Sequence, residues 1–346
     1  MGRKTIGIFT YSTQEMDPWD LESAKTGISG SEEAVIYLSQ CLAKLGFRVL
    51  VFGNPPEDSP HALFGANPQF IREPYSLSSR LDLAISWRMP SMGPTLRNIA
   101  DRVYLWPHDI LPFPLKTSDV DSFDEVLWLS KWQRAQWISV APGFERYAHC
   151  FGNGICPEHF LPVQSRANPY SCIYASNYGR GLQILADLWP QIHAEFPMAT
   201  LDIYYGWRHW GALTHDEESN LRRKLARLAG VKEHGCVGHE RLARAFSHAS
   251  FWTYPCTKPE TFCITALKAQ AAGAIPIVIK GSALYETVRF GYSCTQPEDY
   301  LFLCKQALSD AENISLKSRR EMGDFVLDHF TWETIAKKIQ LLCESS

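Results

Sequence analysis

The sequence predicts an α/β fold in which parallel sheets are organised as two domains. Three observations predict it. Short apolar or aromatic runs alternate with helical stretches from end to end, the pattern of strands joined by crossover helices. Residues 275–279 form an unbroken apolar run, as a parallel strand buried on both faces requires. The length of 346 residues suits two domains of roughly 170 residues, each able to fill a core.

The elements follow in order. Residues 5–10 read as a first strand, 12–29 as a long polar loop, and 31–45 as a helix with Val35, Leu38, Leu42 and Leu45 on one face. A loop of that length inside a compact domain points to a role at a site. Residues 47–52 give the second strand, and 83–87, 103–106 and 126–129 give further strands before an aromatic-rich helix from Lys131. Around Gly152-Asn153-Gly154 and the proline-containing stretch to Pro169 the alternation pauses, which sets a domain boundary. It restarts with strand 172–175, helix 181–196, strand 200–205, charged helix 215–228, weaker strand 231–237 and helix 239–248. The chain closes on an amphipathic helix after Phe330, with Thr331 as its N-cap.

The most informative stretch runs from Tyr254 to Val278. Phe251-Trp252-Thr253-Tyr254 is aromatic, as strands are, and Pro255 stops it. Lys258-Pro259-Glu260-Thr261 then reads as a helix start, with Pro259 suited to the first turn and Glu260 complementing the dipole. Ile264, Leu267, Ala271 and Ala272 share a helical face and Gly273 is a fitting stop. A carboxylate and free amides just past a strand's carboxyl end are where open α/β sheets bind polar ligands.

Composition narrows the partners. Hydrophobic content of 45% and charged content of 21% belong to a folded, soluble chain. A net charge of −3 gives no electrostatic case for nucleic acid or an anionic membrane. The ten cysteines include no C-x-x-C pair and have mostly apolar neighbours, which favours buried thiols over disulfides or zinc. Met-Gly-Arg-Lys-Thr enters a strand without a signal-peptide stretch, Ile6 breaks a myristoylation motif, and no apolar run reaches a membrane span. Cytoplasmic location is the expectation. Eleven Trp and fourteen Tyr could line a sugar site, although core packing is the commoner use of any one of them.

The 254–278 stretch resembles the signature of retaining GT-B glycosyltransferases of family 4. That signature reads roughly Pro-x-x-x-Glu-Gly-Phe-Gly and then Glu-Ala-x-Ala-x-Gly-x-Pro-Val-Val. Here Glu260-Thr261-Phe262-Cys263 is followed by Lys268-Ala269-Gln270-Ala271-Ala272-Gly273-Ala274-Ile275-Pro276-Ile277-Val278. The family's first Glu is present, and Lys268 stands at its second. Gly30-Ser31-Glu32 is similar to the end of the family's Gly-Gly-x-Glu loop, Arg180-Gly181 to its basic residue before Gly, and Val237-Gly238-His239 to its turn under the base. His108, in Trp106-Pro107-His108-Asp109, falls where the family has a His.

The resemblance implies an α/β, GT-B fold: two Rossmann-like domains facing across a cleft, with a C-terminal helix crossing back to the first. The implied domains are 1–160 for the acceptor, 161–328 for the nucleotide sugar, and the helix 329–346. The implied reaction moves a hexose from a nucleotide diphosphate sugar to a hydroxyl with retention of configuration. Glu260, His108 and Arg180 would be its catalytic residues. Glu260 would contact donor-sugar hydroxyls, helped by amides of Thr261, Phe262 and Cys263. His108 would hydrogen-bond sugar hydroxyls, and Arg180 would stabilise the departing diphosphate. Gly30, Gly238 and Lys268 complete the donor set. The family's second Glu accepts hydrogen bonds from ribose hydroxyls; Lys268 can only donate, so it would instead reach a phosphate or pair with a neighbouring acid.

No cofactor or metal is implied. Asp119-Val120-Asp121 is a literal D-x-D in a Ser/Asp-rich stretch and reads as surface. The partners are a nucleotide sugar and a saccharide, lipid-linked or protein acceptor, with peripheral membrane association left open. Lys268 and the replaced glycines also fit a catalytically weak or inactive GT-B scaffold that acts as a binding protein. A nicotinamide-dependent enzyme is disfavoured because no G-x-G-x-x-G occurs. An epimerase on the same scaffold is a further reading.

Overall fold

A computed structural model describes residues 3–11, 17–72, 77, 79–111, 115–207 and 213–344. The chain divides into two compact units. The first comprises the chain to Ala24, Ile28–Gly154 and the segment from Phe330 on; the second comprises Lys25–Gly27 and Ile155–His329.

The first unit contains β1 (Thr5–Phe9), α1 (Gly30–Lys44), β2 (Arg48–Gly53), β3 (Gln69–Arg72), β4 (Leu81–Trp87), β5 (Ala100–Trp106), β6 (Glu125–Val126) and α2 (Lys131–Val140). Its sheet has the order β3-β2-β1-β4-β5-β6, and its strand pairs are parallel. Four of the five residues of β1 are buried, and Phe9 stacks on Phe52 of β2 with centroids 4.4 Å apart. Trp128, Trp137 and Phe144 fill the far side of this core.

The second unit contains β7 (Ser171–Ala175), α3 (Leu182–Glu195), β8 (Thr200–Tyr204), α4 (His215–Leu225), β9 (Val231–Gly235), α5 (His239–His248), β10 (Phe251–Tyr254), α6 (Ile264–Ala271), β11 (Ile275–Ile279), β12 (Tyr292–Cys294), α7 (Tyr300–Ser309) and α8 (Leu316–His329). Its sheet runs β12-β11-β10-β7-β8-β9, again parallel. Every residue of β7, β10 and β11 is buried, so the apolar runs do become two-faced central strands. Arg166 donates to the carbonyls of Ala249 and Ala272, and Arg319 to those of Ser250 and Gly273. These guanidiniums satisfy the carboxyl ends of α5 and α6.

The last helix, α9 (Trp332–Glu344), belongs to the first unit. Thr331 caps it by accepting from the Thr334 amide at 3.1 Å. Its buried face is Trp332, Ile335, Ala336, Ile339 and Cys343. At its far end Lys4 donates to the Cys343 carbonyl at 2.7 Å and Arg102 to that of Leu342 at 2.5 Å, cations at the negative pole of the dipole.

Several expectations move. Strand 126–129 becomes β6 at Glu125–Val126 followed by a single bridge from Trp128 to Cys150. Helix 215–228 ends at Leu225, and strand 231–237 ends at Gly235. The structure adds β3, β12, α7 and α8, which were not expected. Of the loop 12–29, residues 12–16 lie outside the described residues, and Ser23–Thr26 forms one helical turn. None of the ten cysteines is joined in a disulfide, and Cys236 is exposed.

Candidate functional site

Both sheets carry the doubly wound order in which the first and fourth strands of a unit lie side by side and the chain leaves them in opposite directions. Ligands of open α/β sheets bind outside the carboxyl ends of those two strands. In the second unit the strands are β7 and β10. The segment after β7 carries Arg180, and the segment after β10 carries Glu260.

A glycine-dependent turn brings these residues together. Gly181 caps α3 with a left-handed φ of 97°. A Cβ there would lie 2.6 Å from the Pro255 carbonyl carbon and 3.0 Å from the Cys256 nitrogen. Only glycine allows the Arg180 turn to press on the segment after β10. Gly238 caps α5, and a Cβ on it would run into the Lys25 backbone of the same unit.

Glu260 was expected in the first turn of a helix, with Pro259 at the entry. The helix instead begins at Ile264, and its N-cap is Cys263, at φ 71°. Glu260 lies in the preceding loop, so the dipole is not its main partner. Its amide donates to Ser282 Oγ at 2.8 Å, and its carbonyl accepts from the Ala283 amide at 3.1 Å. Its carboxylate Oε1 accepts from Arg180 Nη1 at 2.7 Å and from the Tyr254 hydroxyl in a short hydrogen bond. Arg180 Nη1 also reaches the Pro259 carbonyl at 3.3 Å. The Tyr174 hydroxyl, 2.7 Å from the Asn177 carbonyl and 3.1 Å from that of Arg180, holds the turn from below.

The electrostatics follow from burial. Glu260 is 8% exposed, and loss of solvent raises its carboxyl pKa although the Arg180 charge and the Tyr254 hydroxyl pull it down. For Arg180 burial acts to lower the pKa, but the Glu260 charge outweighs it and the guanidinium is held above its ordinary value. The result is an ion pair, with the cation about one-third exposed and the anion almost covered. Burial pushes the Cys263 and Cys256 thiols up, and Glu260 adds to both shifts. Phe262 is buried, Thr261 and Cys263 are half-buried, and Lys268 sits 6% exposed within α6.

The remaining expected residues belong to the first unit. Gly30 opens α1, where the Ser29 and Ser31 hydroxyls donate to Glu32 Oε2, the latter at 2.9 Å. Glu32 is 2% exposed. His108 follows β5 and is buried against the edge of Trp106, 4.7 Å away, with Trp87 at 5.9 Å. Burial, and then the Arg88 charge, hold its pKa well below the usual histidine range, so it is a neutral imidazole at pH 7. Sequence reasoning missed Arg88. It lies just past β4, at this unit's own switch point, with φ 68°. Its guanidinium grips both oxygens of Asp109 and stacks 4.9 Å from the Trp87 ring. A non-glycine residue in that backbone region is a sign of functional constraint, but it cannot be read from residue type. Tyr254 and Ser282 were equally hidden, since each matters through one hydroxyl.

The D-x-D stretch is helical rather than a loop, and only its second acid, Asp121, lies on the surface. It forms the helix Thr117–Asp121, with Asp119 buried as a cap for the Lys116 amide and Asp121 paired to Arg146 at 2.9 Å. Among the described residues no group of three or more His, Cys, Asp and Glu is placed to hold a metal ion. No described helix is long and apolar enough to cross a membrane.

No protein-family model and no curated protein sequence matches the chain. Solved structures do. A sucrose-phosphate synthase from Thermosynechococcus elongatus superposes with a TM-score of 0.74 at 16% identity, over 99% of each chain. HepE of Anabaena, in complex with UDP and glucose, gives 0.74 at 14% identity, over 99% of this chain and 100% of that one. A glycosyltransferase from Rickettsia africae gives 0.72 at 13% identity, over 100% and 99%. At such identities the likeness is one of fold. The fold is GT-B. The two Rossmann-like units and the C-terminal helices of a GT-B chain are all present, and the GT-B likeness spans nearly the full length of both partners.

Proposed function

We propose that this chain is a retaining hexosyltransferase of the family 4 type, using a nucleotide diphosphate sugar and no metal. One observation carries the reading. On a GT-B fold, a guanidinium and a carboxylate 80 residues apart in sequence meet at the switch point of the second unit. Breaking the bond from diphosphate to sugar builds negative charge on the leaving phosphate. Arg180 answers that charge with a planar fork of five donors, of which the pair with Glu260 occupies Nη1. Glu260 would receive the donor-sugar hydroxyls, with the amides of residues 261–263 beside it. His108, neutral and buried, suits hydrogen bonding to hydroxyls better than proton abstraction. In this proposal residues 1–160 serve the acceptor, residues 161–328 the donor, and the enzyme works in the cytoplasm. HepE was obtained with UDP and glucose, and the pneumococcal O-GlcNAc transferase GtfA with UDP and GlcNAc. UDP-sugars are therefore the donors to try first.

A second reading rests on Lys268, buried in α6 where the resemblance has an acid: a scaffold that has lost its donor. A thermal-shift panel of UDP, GDP, ADP and their hexose conjugates separates the two. A ligand at a hundred times its dissociation constant adds about 2.7 kcal/mol. A selective shift of the wild type by one nucleotide pair is the expected result. It leads to a transfer assay in which the product keeps the donor's anomeric configuration, as read by NMR. A wild type that ignores all six ligands, beside a Lys268→Glu variant that responds, would favour the scaffold.

A further inference from the structure

Tyr254 is the last residue of β10, 0% exposed, with its ring stacked on Trp252 at 4.9 Å and near Tyr174 at 6.3 Å. Ring packing alone would be served as well by phenylalanine. The hydroxyl is what sets this residue apart: it donates to Glu260 Oε1, the same oxygen that Arg180 engages. Neither bond uses Oε2. Two donors on one oxygen fix the carboxylate plane while leaving the other oxygen uncommitted by them. The main chain of Glu260 is fixed separately, by Ser282 and Ala283. The side chain would otherwise rely on Arg180 alone, a partly exposed partner that a diphosphate would also recruit.

We propose that Tyr254 is a positioning residue for the donor sugar, holding Glu260 in place when Arg180 turns to the leaving phosphate. This rests on the reading of Glu260 as the group that meets the sugar. The consequence is a division of labour. The sugar half of the donor depends on the Tyr254 hydroxyl, and the nucleoside diphosphate half does not. Tyr300 provides the contrast: its buried hydroxyl donates to the Ile277 carbonyl at 2.8 Å in the same core and meets the main chain of Tyr254 rather than the Glu260 carboxylate.

The test compares wild type, Tyr254→Phe and Tyr300→Phe by calorimetry with UDP, GDP and ADP and with their glucose conjugates. Alongside, the Glu260 carboxyl is titrated by carbon-13 NMR and assigned with Glu260→Gln. In Tyr254→Phe the Glu260 titration should move upward by about one unit, because the ionised form has lost a donor. The glucose conjugate should bind roughly tenfold more weakly while the free diphosphate binds as before, the worth of one charge-assisted hydrogen bond. Tyr300→Phe should lose stability without either effect. An unmoved Glu260 titration would overturn the proposal, as would an equal loss for diphosphate and conjugate. If the wild type binds none of the six nucleotides, the donor reading falls and the sugar-positioning role falls with it. The titration then still decides whether Tyr254 holds Glu260.

Discussion

Buried ionisable residues set how the two candidate sites respond to pH. His108 is neutral in the folded chain because burial and the Arg88 charge depress its pKa well below the usual value. The unfolded chain takes up a proton near the ordinary pKa of about 6.5. Below that pH the unfolded state therefore binds more protons, and stability is lost as pH falls through 6.5 toward the depressed value. Denaturant melts should show the wild type losing about 1 kcal/mol more than His108→Gln between pH 7.5 and pH 5.5. Parallel pH profiles would show that His108 is not a buried neutral group. The Arg180–Glu260 pair makes a different demand. Removing one partner strands the other, whereas removing both does not. Arg180→Met should destabilise by roughly 1–2 kcal/mol, less than a fully buried pair would lose because the guanidinium is partly exposed. Arg180→Met combined with Glu260→Gln should recover part of that loss. A double variant that simply adds two losses would deny the coupling.

At the scale of elements, α3 and its entry turn connect stability to the site. Gly181→Ala introduces a side chain at φ 97° and drives it into the Pro255 carbonyl. Left-handed backbone alone costs about 1–2 kcal/mol for a residue with a Cβ. The clash should push the Arg180 turn away from Glu260, so we expect a larger fall in thermal midpoint than strain alone gives, together with weaker nucleotide binding. A variant that is less stable but binds normally would detach the turn from the site. This turn also shows what could be read in the sequence. The Arg-Gly step and the strand before it were legible, because strands buried on both faces announce themselves and glycine marks a special turn. The start of α6 was not. Pro259 and Glu260 carry the local signals of a helix entry, but Ser282, Ala283, Arg180 and Tyr254 bind Glu260 from three other places in the chain. Tertiary partners outvoted local preference, and the first helical residue moved to Ile264. Arg88 was hidden for a related reason, since its constraint is a backbone angle and an Asp109 partner 21 residues away. β3 is four residues long at the sheet edge, too short to carry a periodic signal.

At the scale of the whole molecule, each unit has its own sheet and its own core, and after Gly154 the chain returns to the first unit only in its last segment. That segment contributes more than a tail. Trp332, Ile335 and Ile339 are almost fully buried on α9, and Trp332 meets the edge of Trp106 at 6.4 Å, which in turn meets His108 at 4.7 Å. Burying three large apolar side chains contributes roughly 5–8 kcal/mol, a sum comparable to the entire stability of many domains. The second unit keeps all its strands without α9. A chain ended at His329 should therefore fail unevenly. Limited proteolysis with mass spectrometry should show the first unit cut quickly, while a fragment covering residues 155–329 persists and still gives a cooperative melt. Equal digestion of both halves would mean that the second unit draws its stability from outside its own core. A resistant first unit would mean that α9 adds little beyond its own length. The first result would also explain why the Trp106–His108 strand end depends on residues more than two hundred positions away: the final helix completes the core on which that strand rests.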